Sequence, residues 1–335
     1  MLPPANKVSS HHHSRLGNLV ILVIWLAILG LAANNRQNII DWWKLRNYQA
    51  PATVSQLAAQ DTMTAYGRKI FYVNHAAILN KTAFPKQCPN NGGEQTIVLG
   101  CYHGDQAGIF LLGVNDPRLN GVEQVTAAHE MLHGAYDRLS SSEKAKVDAM
   151  LLDYYNNDLR DQRLRNTIAA YRKTEPHDVV NEMHSIFGTE VAKLPSGLEQ
   201  YYKRYFTNRA QMAAYAAQYQ GEFTSRQAAV TQDDAQLAAL KQQIDSLEAD
   251  LQVKQSTISS KQSSLNELKA SGNTDAYNAG VPGYNTLVND YNAEVEQVRG
   301  LIGQYNTLVA ARNAIATQEN QLSKELITNP PTISR

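Results

Sequence analysis

The spacing of apolar residues changes several times along this chain, and each change marks a different kind of segment. From Leu19 to Ala33 no residue is charged and nearly all are apolar. As a helix that run rises about 22 Å, or about 27 Å counted from Leu16, against a hydrocarbon layer of ~30 Å. Further on, Gln95 to Gly100 and Gly108 to Leu112 read as two short strands around a turn at Tyr102-His103-Gly104-Asp105. The period then becomes helical: Val122, Val125, Ala128, Met131, Leu132 and Ala135 place an apolar face on a helix entered at Asn120-Gly121. Two more helices fit Ser142 to Asn157 and Asp161 to Lys173. Beyond residue 210 the period becomes seven. Leu237, Leu240, Ile244, Leu247, Leu251, Ile258, Leu265 and Leu268 share one a/d register, interrupted at Lys254 and Lys261. Tyr284, Val288, Tyr291, Val295, Val298, Ile302, Tyr305 and Val309 form a second. Ala270 to Thr274 and Ala279 to Gly283, with Pro282, separate the two as helix breakers. The arrangement predicted is an antiparallel helical hairpin.

The central helix carries candidate chemistry. His129 and His133 are four residues apart and therefore share a face, where both can reach one metal ion. Two neutral imidazoles suit Zn²⁺, and Glu130, one step round the helix, suits a general base beside a metal-bound water. A catalytic zinc also needs a third protein ligand.

A strand edge followed by a helix bearing His129-Glu130-Met131-Leu132-His133 resembles the zincin metallopeptidases. The metzincin pattern requires a further histidine at a position held here by Leu139. The gluzincin pattern takes a glutamate from a later helix. Asn181-Glu182-Met183-His184-Ser185-Ile186-Phe187-Gly188-Thr189-Glu190 resembles that helix in thermolysin-like enzymes, which implies Glu182 as third ligand. Ile186 stands where the family carries an acid that orients a zinc histidine. The interval from His133 is also longer than the family's. Thr174-Glu175-Pro176 supplies the expected helix start. Glu190 is the next candidate ligand, followed by His184 and His177, and Asp137 is placed to orient His133. Tyr136, Tyr154, Tyr155, His103 and His75 are candidates to polarise a scissile carbonyl. The resemblance covers roughly the segment from His129 to Thr189.

The remaining features place the chain rather than define its chemistry. Leu31-Ala32-Ala33 fits the end of a cleaved signal peptide, but the apolar run exceeds the usual ~7–15-residue signal core, which favours an uncleaved anchor. Asp41-Trp42-Trp43-Lys44 follows as an interfacial anchor. Lys7 and Arg15 on one side nearly balance Arg36, Lys44 and Arg46 on the other. A short tail before a single anchor favours export of the large domain. Cys88 and Cys101, the only cysteines, suit a disulfide in an oxidising compartment. Lys and Arg number 31 and Asp and Glu 31, with no basic stripe, so nucleic acid is not an expected partner. No glycine-rich nucleotide loop, nucleophile elbow or Cys-x-x-Cys pair is present.

The expected fold is α+β: a mostly helical zincin-like domain with a small antiparallel sheet, then a long coiled-coil hairpin. The expected order is a tail (1–15), a transmembrane anchor (16–33), a juxtamembrane linker (34–53), a zinc peptidase-like domain (54–208), the hairpin (209–328) and a tail (329–335). The function expected is membrane-anchored, zinc-dependent peptide hydrolysis on a peptide or protein substrate. The hairpin would serve self-association, a protein partner, or only its own packing. The competing expectation is a membrane-anchored coiled-coil scaffold whose zincin-like domain is inactive.

Overall fold

The computed structural model describes residues 12–89 and 98–327; part of the expected strand at 95–100, the C-terminal tail and residues 1–11 lie outside them, while residues 12–15 of the expected N-terminal tail begin the first helix. The chain divides into two compact units, residues 1–113 with 121–216 and residues 114–120 with 217–335. Among the described residues the helices are α1 (His12–Asn34), α2 (Arg36–Leu45), α3 (Ala52–Gln60), α4 (Ala65–Val73), α5 (Phe84–Gln87), α6 (Val122–Asp137), α7 (Ser141–Asp153), α8 (Gln162–Thr174), α9 (Val179–Glu190), α10 (Ser196–Tyr202), α11 (Ala210–Ala270) and α12 (Thr274–Leu326). The strands are β1 (Ala77–Leu79), β2 (Gly100–His103) and β3 (Gly108–Leu112).

The first unit is helical with one small sheet, ordered β1-β3-β2. The sheet is mixed rather than antiparallel. β2 pairs antiparallel with β3, from Gly100 opposite Leu111 to His103 opposite Gly108, whereas β1 lies parallel to β3 with Ala77 opposite Phe110. The β2–β3 turn falls later than its sequence suggests, because Asp105 and Gln106 take the left-handed backbone there (φ 56° and 60°). Tyr102 and His103 are thereby strand residues. Ile109, Leu111 and Leu112 of β3 are buried, and Met131, Leu132 and Phe187 join α6 and α9 to the same core.

The segment expected as a juxtamembrane linker, 34–53, contains the helix α2 and the start of α3. Its Asp41 is fully buried and accepts from Arg138, just past the end of α6, at 2.9 and 2.8 Å, and from Gln37 at 2.9 Å. Lys69 of α4 completes the set at 2.8 Å. Burial opposes the charge on Asp41, but the hydrogen bonds from Arg138, Lys69 and Gln37 outweigh it and hold the carboxyl below its ordinary range. Among the described residues no single helix is long and apolar enough to cross a membrane; Leu19–Asn34 and Arg36–Leu45, bent by 68°, meet that test together.

In the second unit α11 and α12 pack as an antiparallel pair. Asp234 meets Arg312, Lys254 meets Glu294 and Leu265 lies against Gly280, so partners descend along α12 as they rise along α11. The pairing explains one interruption of the heptads: Lys254 finds the buried Glu294. Leu301 is more buried than Ile302, so the second register is shifted locally. Residues 279–283 do not break the helix, and α12 runs through Pro282 from a start at Thr274. The Asn273 side chain caps it by accepting from the Ala276 amide at 3.3 Å. A proline costs one helical hydrogen bond, which close packing against α11 on the preceding turn offsets.

Candidate functional site

The site is set by the packing of α6 on α9. Val122, Val125, Ala128, Met131 and Leu132 are buried along α6. A Cβ at Gly188 of α9 would come within 2.4 Å of Leu132 Cδ1 and 2.8 Å of Tyr202 Cε1, so a larger residue there would force these buried side chains to shift. His129 and His133, one turn apart, then face Glu182 in the first turn of α9. His133 Nε2 lies 3.1 Å from His129 Nε2 and 3.4 Å from Glu182 Oε1, and His129 Nε2 lies 3.5 Å from Glu182 Oε2. One donor atom from each residue falls within 4.8 Å of the other two.

The donors fit a divalent cation. Two imidazole nitrogens and a carboxylate are a zinc-type set. Glu182 is buried, and among the described residues its Oε2 has only the long 3.5 Å approach of His129 Nε2 and no hydrogen bond of ordinary geometry. A buried carboxylate oxygen is rarely left so. Burial pushes Glu182 up, but the nearby His133 and His129 outweigh it and hold it below its ordinary range, with a further contribution from Tyr171 of α8. Burial also disfavours charge on His129, yet its hydrogen bond to Glu182 and the surrounding carboxylates raise it to about 9. The Glu182 carboxylate is thus the main source of the positive-charge preference at His129, and a bound cation would replace that proton.

Glu130 sits beside the trio and is held from the sheet side. It is buried, and the Tyr102 amide of β2 donates to its carboxylate. A Cβ at Gly100 would meet Glu130 Oε1 at 2.8 Å and Thr126 at 2.5 Å, so this strand can lie against the carboxyl only with glycine there. Burial raises Glu130, partly countered by His129 and His133. His129, Glu130, His133 and Glu182 open into a cleft of about 640 Å³ that β2 lines from Gly100 to His103. Glu175, Asp178 and Asp137 line it as well, and among the described residues no lysine or arginine does.

The other sequence candidates separate. The Asp137 carboxylate accepts from the Tyr102 hydroxyl at the cleft wall. Glu190 is ion-paired with Arg163 at 2.8 Å and is not part of the ligand trio, although its charge acts on His129. His184 is fully buried among tyrosines with Nε2 2.9 Å from the Tyr201 hydroxyl, and burial depresses it to about 3. His177 is exposed. Tyr136 donates to Asp148 at 2.9 Å, Tyr154 packs on Phe187 and Tyr155 lies under Arg165 and Arg172. His75 stacks on Tyr48. Of these aromatic candidates only His103 lines the cleft, with its Nε2 2.9 Å from the Gln87 carbonyl oxygen. Cys88 and Cys101 form a disulfide, with Cα atoms 5.8 Å apart, that ties β2 to the end of α5.

Sequence reading missed Tyr171, which acts on Glu182, and Asp178, whose charge acts on His133 and which accepts from Asn181 at 3.2 Å. Burial raises Asp178. No spacing rule points to Tyr171, because only the packing of α8 on α9 brings it there. Comparison with known proteins gives no family model that matches the chain, no matching curated protein and no matching solved structure.

Proposed function

We propose that the chain is a membrane-anchored, zinc-dependent metallopeptidase of gluzincin type. The observation that carries this reading is the convergence of His129, His133 and Glu182 with a buried Glu130 beside them. In this reading His129, His133 and Glu182 hold Zn²⁺, which would lower the pKa of a bound water toward ~7 and polarise the scissile carbonyl. Glu130 accepts the water proton and delivers it to the leaving amine. Its raised proton affinity suits that exchange, and the Tyr102 amide keeps its carboxyl oriented. β2 is an outer strand among the described residues and lines the cleft, so extended peptide backbone can lie along it.

Residues 16–33 serve as the anchor. Support comes from the side chains of Leu19 to Leu31: the large apolar ones are all about half exposed or more, on every side of α1. A helix apolar all round suits a lipid environment. The Cys88–Cys101 disulfide supports an extracytoplasmic domain. The test is peptide cleavage by the full chain and by Glu130→Gln. Cleavage that a chelator abolishes and Glu130→Gln lacks supports the reading. Cleavage retained in Glu130→Gln, or no cleavage by a zinc-loaded chain, leaves the scaffold alternative.

A further inference from the structure

α2 has two faces of opposite character. On one, Asp41 is buried in its contacts with Arg138, Lys69 and Gln37, and Lys44 donates to the Gln106 carbonyl. On the other, Ile39, Trp42 and Trp43 are 50%, 65% and 61% exposed, with Arg46 a turn further on. The spacing of 39, 42, 43 and 46 makes one helical stripe. The Arg46 guanidinium stands 5.5 Å over the Trp43 ring. Arg36 and Arg46 are exposed cations, while Asp41, the only acid of α2, is enclosed by its partners.

Two adjacent indoles in water are a poor use of surface, and a cationic rim around them matches anionic headgroups. α2 also turns 68° from the apolar stretch Leu19–Asn34. If that stretch runs along a bilayer normal, α2 lies much nearer the bilayer plane than the normal. We infer that α2 is an interfacial helix, with Trp42 and Trp43 seated in the headgroup layer of an anionic bilayer, and that Asp41 and Arg138 clamp the helix bearing His129 and His133 to it. Gln106 lies in the turn joining β2 to β3, and β2 lines the cleft. That turn, which follows the cleft-lining strand directly, therefore stands about one helix diameter, ~10 Å, from the lipid surface. This last consequence rests on the peptidase reading: the substrate segments are peptides lying close to a bilayer.

The test uses the full chain with Trp25→Phe, which leaves Trp42 and Trp43 as its only indoles, reconstituted in phosphatidylcholine–phosphatidylglycerol vesicles. Lipids brominated near the headgroup should quench indole emission more strongly than lipids brominated deep in the acyl chains, and aqueous iodide should quench little. Full iodide quenching without loss of emission to brominated lipid overturns the inference. So does protection from both quenchers with cross-linking between chains, which places a second copy on the stripe. Quenching does not depend on turnover. A quenched chain that cleaves neither a short-tethered nor a long-tethered vesicle peptide disproves the peptidase reading alone. Cleavage favouring the long tether contradicts the bilayer-proximal substrate.

Discussion

Arg138 donates to both carboxylate oxygens of Asp41, at 2.9 and 2.8 Å, and so joins α2 to the end of the helix that carries His129 and His133. Both side chains are almost fully buried. Removing one partner of such a pair strands the other charge, a loss of about 3–5 kcal/mol. Asp41→Ala should therefore lower unfolding free energy by about that amount. Denaturant unfolding of the full chain in detergent checks it. The Asp41 carboxyl is depressed, so its contribution is present above the ordinary aspartate value and fades as pH falls through its folded value.

Asp61 titrates with the opposite sign. It is fully buried, neither carboxylate oxygen has a hydrogen-bond partner among the described residues, and burial raises it well above the ordinary range. The folded chain favours its protonated form, so folding loses stability as pH rises above the ordinary aspartate value. Asp61→Asn removes that dependence. The variant should gain in melting temperature relative to the parent between pH 4 and pH 8, while a constant difference across that range would show an already satisfied carboxylate.

Glu130→Gln keeps the shape of the side chain and removes its base. The expected loss in kcat is on the order of 10²–10⁴, with metal content unchanged, and steady-state kinetics beside metal analysis reads both.

The Cys88–Cys101 bond closes a loop with sequence separation 13 and fastens the strand that holds Glu130. Replacing both cysteines by serine should lower stability by about 2–4 kcal/mol, read by denaturant unfolding. Cleavage should fall with it, since the Tyr102 amide is on that strand.

Some of this was legible in the sequence and some was not, for identifiable reasons. α6 and the hairpin arms announce themselves because their apolar period is long and regular. Glu182 could be singled out because its helix resembles a known ligand helix. The start of α9 could not: Pro176 ends α8 by forcing Glu175 out of helical backbone (φ −134°, ψ 61°), and α9 begins only at Val179. β1 is three residues long and gains its place only from β3. Asp41 looks like an interfacial charge between apolar residues, and its burial depends on Arg138, which lies far along the chain. Tyr171 and Asp178 reach the site through helix packing, which no local spacing encodes.

The most direct measurement is zinc content of the full chain and of His129→Ala, His133→Ala and Glu182→Ala, each purified folded and equilibrated with limiting Zn²⁺. The account requires about one Zn²⁺ per chain in the parent and its loss in all three variants. A parent that binds none, or variants that bind as much as the parent, would contradict it.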